Sequence, residues 1–338
     1  MLDTLSFSVN AILPLVLLIL LGYGVRRLGF FSDAALKQLN RFNFRVPFCA
    51  LMFVNIYNMD LSSGIPVPVR LVGLVVLAIV ILTVLGLVLA QVLTKERARK
   101  GVLVQAMFRS NSAIIGLPLS ESVAGAAGLA TATVFQLPVV IYFNAMSVVM
   151  LSLYSRSEEK PKAGKVFAGV LKNPLIQGLL AGALALVIRQ FIPVGADGLP
   201  VFSIRYSLPW LYQALSYVSR VATPLALIVL GAQMRFSDAS LFRHELISGV
   251  IMRLVGAPII GFGLLLLAAR TGFVTLSPAV VGGLIGVFAS PLSVSAMVMA
   301  AQMDADDKLA GQIVAWSSIM GMLSLFVIIT VFRAMGLL

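Results

Sequence analysis

The sequence is short of the residues on which most chemistry depends. It has one histidine, His244, one cysteine, Cys49, and thirteen acidic residues among 338. A single cysteine excludes an internal disulfide. With one histidine, no metal-ligating cluster emerges at a usable spacing, and no cofactor is expected. No serine or cysteine nucleophile has an evident base, and no glycine-rich phosphate loop is present. An enzyme is therefore not expected.

What the chain has instead is hydrocarbon. Apolar residues make up 60%, charged residues 11%, and the mean hydropathy is +1.03. The apolar runs are about 18 to 25 residues long, enough to span a hydrocarbon core of roughly 30 Å. These features predict an all-α membrane protein whose first partner is the lipid bilayer. The first run, Phe7 to Val25, reads as a span rather than a cleaved signal, because it is long and lacks a small-residue cleavage site. Ten transmembrane helices are expected, near 7–26, 34–57, 71–94, 101–124, 127–153, 174–191, 208–234, 246–269, 278–303 and 308–334. Ser32-Asp33, Asn173-Pro174 and Ser277-Pro278 look like helix starts. Asp304 with Asp307 resembles a capping pair for the tenth helix.

The net charge of +12 points to topology, not to nucleic acid. Fourteen Lys and Arg fall in or beside the loops of one side, from Arg26 and Arg27 to Lys308, and five on the other: Arg70, Arg189, Arg205, Arg270 and Arg333. The richer side is then cytoplasmic and both termini lie outside the cell membrane. The polar stretch after residue 153 divides the chain into a first five-helix repeat (1–153), a cytoplasmic linker (154–173) and a second repeat (174–338).

Five helices per half means that the repeats are inverted. Matching prolines support this: R-V-P-F (45–48) with A-T-P-L (222–225), and L-P-L-S-E-S (117–122) with S-P-L-S-V-S (290–295). Inverted repeats interrupted at matching positions mark the midplane site of secondary transporters.

The fourth helix carries R-S-N-S-A-I-I-G-L-P (109–118) in an otherwise apolar run. Asn111 lies ten residues past Gly101, about 15 Å deep. Pro118 obstructs the carbonyl of Ile114, and Gly116 permits departure from helical geometry. A break is expected over 111–118, and another at Ala289-Ser290-Pro291, where Pro291 releases the carbonyl of Val287. The expected helix-break residues are Gly116, Pro118 and Pro291. If the breaks cross, half-helix N-termini and the side chains of Asn111, Ser112, Ser290 and Ser293 form a small polar site that favours an anion. Ile114 and Arg253 are further candidates for substrate contact. All acidic residues except Glu121 fall in loops or at helix ends, which argues against cation antiport. Glu121 and Gln136 are the candidates for coupling. An anion channel and an ion-coupled antiporter of the same fold remain alternatives.

The segments 109–119, L-K-N-P-L-I (171–176), T-P-L-A-L-I-V-L-G-A (223–232) and A-S-P-L-S-V-S-A (289–296) resemble the auxin efflux carrier family, bacterial branch, of the bile/arsenite/riboflavin transporter superfamily. G-Y-G-V-R-R-L-G (22–29) and L-N-R-F-N-F-R-V-P (39–47) fit the same likeness. The resemblance implies crossed, broken helices four and nine. It implies a transport core (helices 3–5 and 8–10) moving as an elevator against a scaffold (helices 1, 2, 6 and 7), as a homodimer through the scaffold. It implies a small organic anion as substrate, with the family's crossover asparagine at Asn111. Plant members carry a long cytoplasmic loop that this chain lacks.

Overall fold

The computed structural model describes residues 2–58, 67–155, 174–193, 201–234 and 243–338. In lipid every backbone N–H and C=O must be bonded inside its own segment or against protein, and helices meet that demand. The described chain is accordingly helical. Its elements are α1 (Leu2–Arg27), α2 (Asp33–Arg45), α3 (Pro47–Tyr57), α4 (Val69–Leu93), α5 (Arg97–Phe108), a π-helical turn (Ser112–Gly116) and α6 (Leu117–Leu153). There follow α7 (Pro174–Gln190), the short α8 (Ile204–Ser207), α9 (Pro209–Gln233) and α10 (Arg243–Ile251). A second π turn (Met252–Gly256) leads to α11 (Ala257–Arg270), α12 (Pro278–Phe288), α13 (Val294–Gln302) and α14 (Asp307–Ala334). Among the described residues, five helical stretches are long and apolar enough to cross a membrane: Val69–Leu93, Ser112–Leu153, Pro209–Gln233, Arg243–Arg270 and Asp307–Ala334.

Local chemistry sets most boundaries. Ser32 caps α2 by accepting from the Ala35 N–H at 3.1 Å, and Ser277 caps α12 by accepting from Val280 at 3.3 Å. Pro47 and Pro278 occupy first helical turns, where their missing N–H costs nothing. The cap of α14 is Asp306, which accepts from Leu309 at 3.0 Å. The expected Asp304 pairing is therefore corrected: Asp304 sits at φ +54° in the preceding turn. Asn173 and the linker beyond Ser155 lie outside the described residues. α6 contains the expected boundary between helices four and five as a kink at Ala124–Gly125, where Gly125 takes φ +61°.

The two halves of the chain are interleaved. α12, from the second half, packs along α6, from the first. α1 packs on α9, α3 on α7 and α9, and α4 on α5 and α11. At one end, Arg99 of α5 pairs with Glu245 of α10 at 2.8 Å and with Asp306 at 3.2 Å, tying three helix ends together.

Glycines let these helices touch backbone to backbone. A Cβ on Gly22 would lie 1.9 Å from the Ile228 carbonyl oxygen, and one on Gly231 would lie 1.8 Å from that of Ile19. A rotamer change cannot relieve a clash with main chain, so α1 and α9 would have to separate. Overpacking of this kind costs about 1–3 kcal/mol or more. Gly22→Val is expected to lower the melting temperature in detergent. Gly24→Val, whose Cβ meets nothing within 4 Å, is the control on the same helix and should melt as the parent does.

Candidate functional site

Two helical rods are interrupted, and the interruptions meet. α5 ends at Phe108, and helical structure resumes at Ser112; α12 ends at Phe288, and α13 begins at Val294. Between them runs an isolated antiparallel bridge, Ser110 opposite Leu292. Asn111 N–H donates to the Pro291 carbonyl at 2.8 Å, and Ser293 N–H donates to the Arg109 carbonyl at 3.2 Å. The Leu292 N–H donates to Ser317 Oγ of α14 at 3.2 Å. The interruptions thus satisfy each other's main chain where no water or helix would.

The second break falls where Pro291 predicts it. The first begins earlier than expected. Arg109 to Asn111 leave helical geometry, whereas Gly116 stays in the right-handed helical region at φ −65°, ψ −46°. A π turn fills most of the expected stretch, with Gly116 N–H donating five residues back to the Asn111 carbonyl at 3.2 Å. Gly116 serves instead as a contact: its Cβ would lie 2.7 Å from Gly286 Cα of α12. The same sequence device recurs at Gly256-Ala257-Pro258, at the end of the second π turn. There the Leu254 carbonyl, four residues before Pro258, accepts from Ser324 Oγ at 2.9 Å.

The side chains around the bridge are buried and polar. Asn111 is 2% exposed, and its Nδ2 has no protein partner; neither has Ser110 Oγ nor either amide atom of Gln105. Ser112 donates to Gln136 Oε1 at 3.3 Å, and Gln136 Nε2 returns a bond to the Ser112 carbonyl at 3.2 Å. Ser290 donates to the Gly286 carbonyl at 2.6 Å. Ser293 shares a 2.7 Å bond with Ser295. Asn111, Ser112, Ser290 and Ser293 therefore sit in the two paired segments, with Gln136 bonded alongside. Ile114 is buried in the π turn, and Glu121 is exposed on α6.

Two arginines flank the crossing, and their partners differ. Arg253 is fully buried on the second π turn. Its guanidinium donates to the carbonyls of Met107 at 3.1 Å, Val287 at 3.4 Å and Phe288. These are the last carbonyls of α5 and α12, and Val287 is the one that Pro291 releases. Arg253 thus closes both half-helix C-termini. Arg109, also buried, donates to the Phe143 carbonyl and Ser147 Oγ, to Asn144 Oδ1 at 3.1 Å and to Ser295 Oγ at 2.9 Å. All four partners are neutral. Ser147, Ser295 and Gln105 were not singled out from the sequence; a lone polar residue in an apolar helix gives little sign of which neighbour it meets.

The residues that carry this crossing fall inside a recognised family. The membrane transport protein family matches the chain over residues 7–329. The chain belongs to that family. An uncharacterized transporter from Methanothermobacter thermautotrophicus is 25% identical to it over 330 residues, covering 94% of this chain and 96% of that protein. Membership bears out the likeness to auxin efflux carriers drawn from the motifs. It makes the chain a multi-pass membrane transporter and points away from an enzyme.

Proposed function

We propose that the chain is a secondary carrier of a small organic anion, bound where the two interrupted helices meet. The observation that carries this reading is the distribution of charge around the paired breaks. The two half-helix C-termini, where negative partial charge collects, are closed by Arg253. The half-helix N-termini at Ser112 and Val294 carry the opposite partial charge, and Arg109 adds a full positive charge with neutral partners. A carboxylate is the ligand that this field favours. Asn111 Nδ2 is a donor free to receive one of its oxygens.

The sodium-coupled alternative is less favoured on the same grounds. In carriers with broken helices, cations bind at half-helix C-termini and unwound carbonyls. Here a guanidinium occupies those carbonyls. A channel is less favoured because the breaks are packed against each other through main-chain bonds.

The helices group in a way that suits alternating access. α1, α2, α3, α7 and α9 pack mainly among themselves, as do α4 to α6 and α10 to α14, with α1 also meeting α14 and α6 across the two groups. We read the first group as a scaffold and the second as the moving core, in two inverted five-helix repeats of ten spans. In this reading the excess of basic residues on one side favours both termini outside the cell membrane, and the scaffold serves a homodimer.

The test is transport by the purified protein in proteoliposomes, across a panel of mono- and dicarboxylates, with and without sodium. Saturable, sodium-independent uptake of one acid is expected, with counterflow when the same acid is preloaded. Asn111→Ala is expected to abolish that uptake while melting within a few degrees of the parent. Uptake that persists in Asn111→Ala would remove the site from the crossing.

A further inference from the structure

α2 is unlike the other long helices. Its sequence, D-A-A-L-K-Q-L-N-R-F-N-F-R, is mostly polar. Lys37, Arg41 and Arg45 recur every four residues, so they share one face. All three are exposed, whereas Leu36 and Asn43 on the other faces are buried. The result is a cationic stripe three turns long.

This stripe does not lie along a membrane surface. α2 continues through Val46 into the apolar α3, so the two form one bent rod. Asn43 donates to the Ala222 carbonyl at 2.9 Å, near the middle of the 25-residue α9. The far end of the stripe is therefore at mid-depth of a membrane-crossing helix, with Arg45 about 18 Å along the rod from Asp33. Arg220, two residues before Ala222 on α9, is also exposed at this level.

Three environments compete to cover such a face. Hydrocarbon is disfavoured by energy: each arginine near the bilayer centre costs about 2.5–3.5 kcal/mol. A second copy meeting this face across a two-fold axis would set the stripe against itself, cation against cation. Water remains, and water at that depth needs a vestibule. Two sets of contacts say where such a vestibule would lie. α2 packs on α3, α7 and α9, while contact with α6 of the other group is made by α1, α3 and α7. α9, on which α2 rests, itself touches the π turn at Ser112–Gly116.

We propose that Lys37, Arg41, Arg45 and Arg220 line an aqueous vestibule that guides the anionic substrate from the cytoplasmic side to the crossing. The inference rests on the anion-carrier reading and adds the route. A graded row of exposed cations raises the local anion concentration and its arrival rate, by about 10- to 1000-fold in charged clefts. The ions themselves stay outside the crossing, so the stripe acts on capture and not on the bound state.

The test does not depend on transport. Cys49→Ala removes the native thiol, and Arg45→Cys supplies a single new one. In inside-out membrane vesicles it is treated with an anionic and a cationic water-soluble methanethiosulfonate. Both reagents are expected to modify position 45. The anionic one should be favoured about tenfold relative to the two rates measured on free thiol. Adding Lys37→Gln and Arg41→Gln should bring that ratio to the free-thiol value. Reaction with lipid-soluble N-ethylmaleimide alone would place the stripe against lipid or a second copy and overturn the proposal. Modification with no preference for the anion would overturn it too. Arg41→Cys in the Cys49→Ala background gives the same readout where Arg45→Cys does not accumulate. Labelling in the Asn111→Ala background separates the two ideas: a vestibule fault leaves carboxylate uptake by the parent intact, and a fault in the carrier reading leaves the labelling pattern intact.

Discussion

Arg253→Met is expected to lose most of its folded protein in detergent at the parent's melting temperature less a few degrees, whether or not substrate is present. The reason is the company that the guanidinium keeps. It is fully buried, and it closes the carbonyls of Met107, Val287 and Phe288 at the ends of α5 and α12. Methionine fills a similar volume and bonds none of them. Each buried carbonyl left without a donor costs about 1–3 kcal/mol, and here the three also lose the cation that offsets two helix termini. Replacing buried ion pairs by apolar groups is often harmless, because both charges leave together. That escape is closed here, since the partners are main chain and remain. Arg253→Lys keeps a charge and three donors but not the planar fork, so an intermediate loss is expected. Measured by thermal unfolding, a near-parental melt for Arg253→Met combined with lost carboxylate binding would instead make Arg253 a substrate ligand, as the sequence suggested.

That contrast marks where the sequence was legible. Hydropathy gave away the class of fold, since runs of apolar residues leave a chain no other choice in lipid. Ser32, Ser277 and Pro291 act locally, so their caps and break could be read directly. The first break begins at Arg109, two residues before the expected 111–118, because the bridge to the second break pulls Ser110 and Asn111 out of the helix while a π turn carries the chain on to Pro118. A glycine can supply either freedom or closeness, and the sequence does not say which; Gly116 supplies closeness, to Gly286. Arginine is equally ambiguous. Arg253 and Arg109 look alike in a hydropathy plot, yet one meets three carbonyls and the other meets four neutral groups from two helices, α6 and α13. Only the long-range contacts distinguish them, and those join residues separated by 34 to 186 positions.

Arg109→Gln is the second large effect, and of a different kind. Glutamine retains a donor for Asn144 or Ser295 and an apolar stem, so the unliganded fold should melt close to the parent. What it removes is the positive charge that flanks the crossing. Truncating one partner of a desolvated, hydrogen-bonded charge pair costs about 2–5 kcal/mol. Converted at 1.4 kcal/mol per decade, that is roughly a 30-fold to several-thousand-fold weakening of carboxylate binding. The measurement is the rise in melting temperature on adding the transported acid, which follows the ratio of ligand to dissociation constant. The parent should show a saturating rise. Arg109→Gln should show none at the same concentrations, and Arg109→Lys a reduced one, because a point charge on a flexible stem restores attraction but not the forked geometry. If Arg109→Gln melted far below the parent yet kept the full rise with substrate, the guanidinium would be a brace between α6 and α13, and the anion would owe its site to the half-helix N-termini and Asn111 alone.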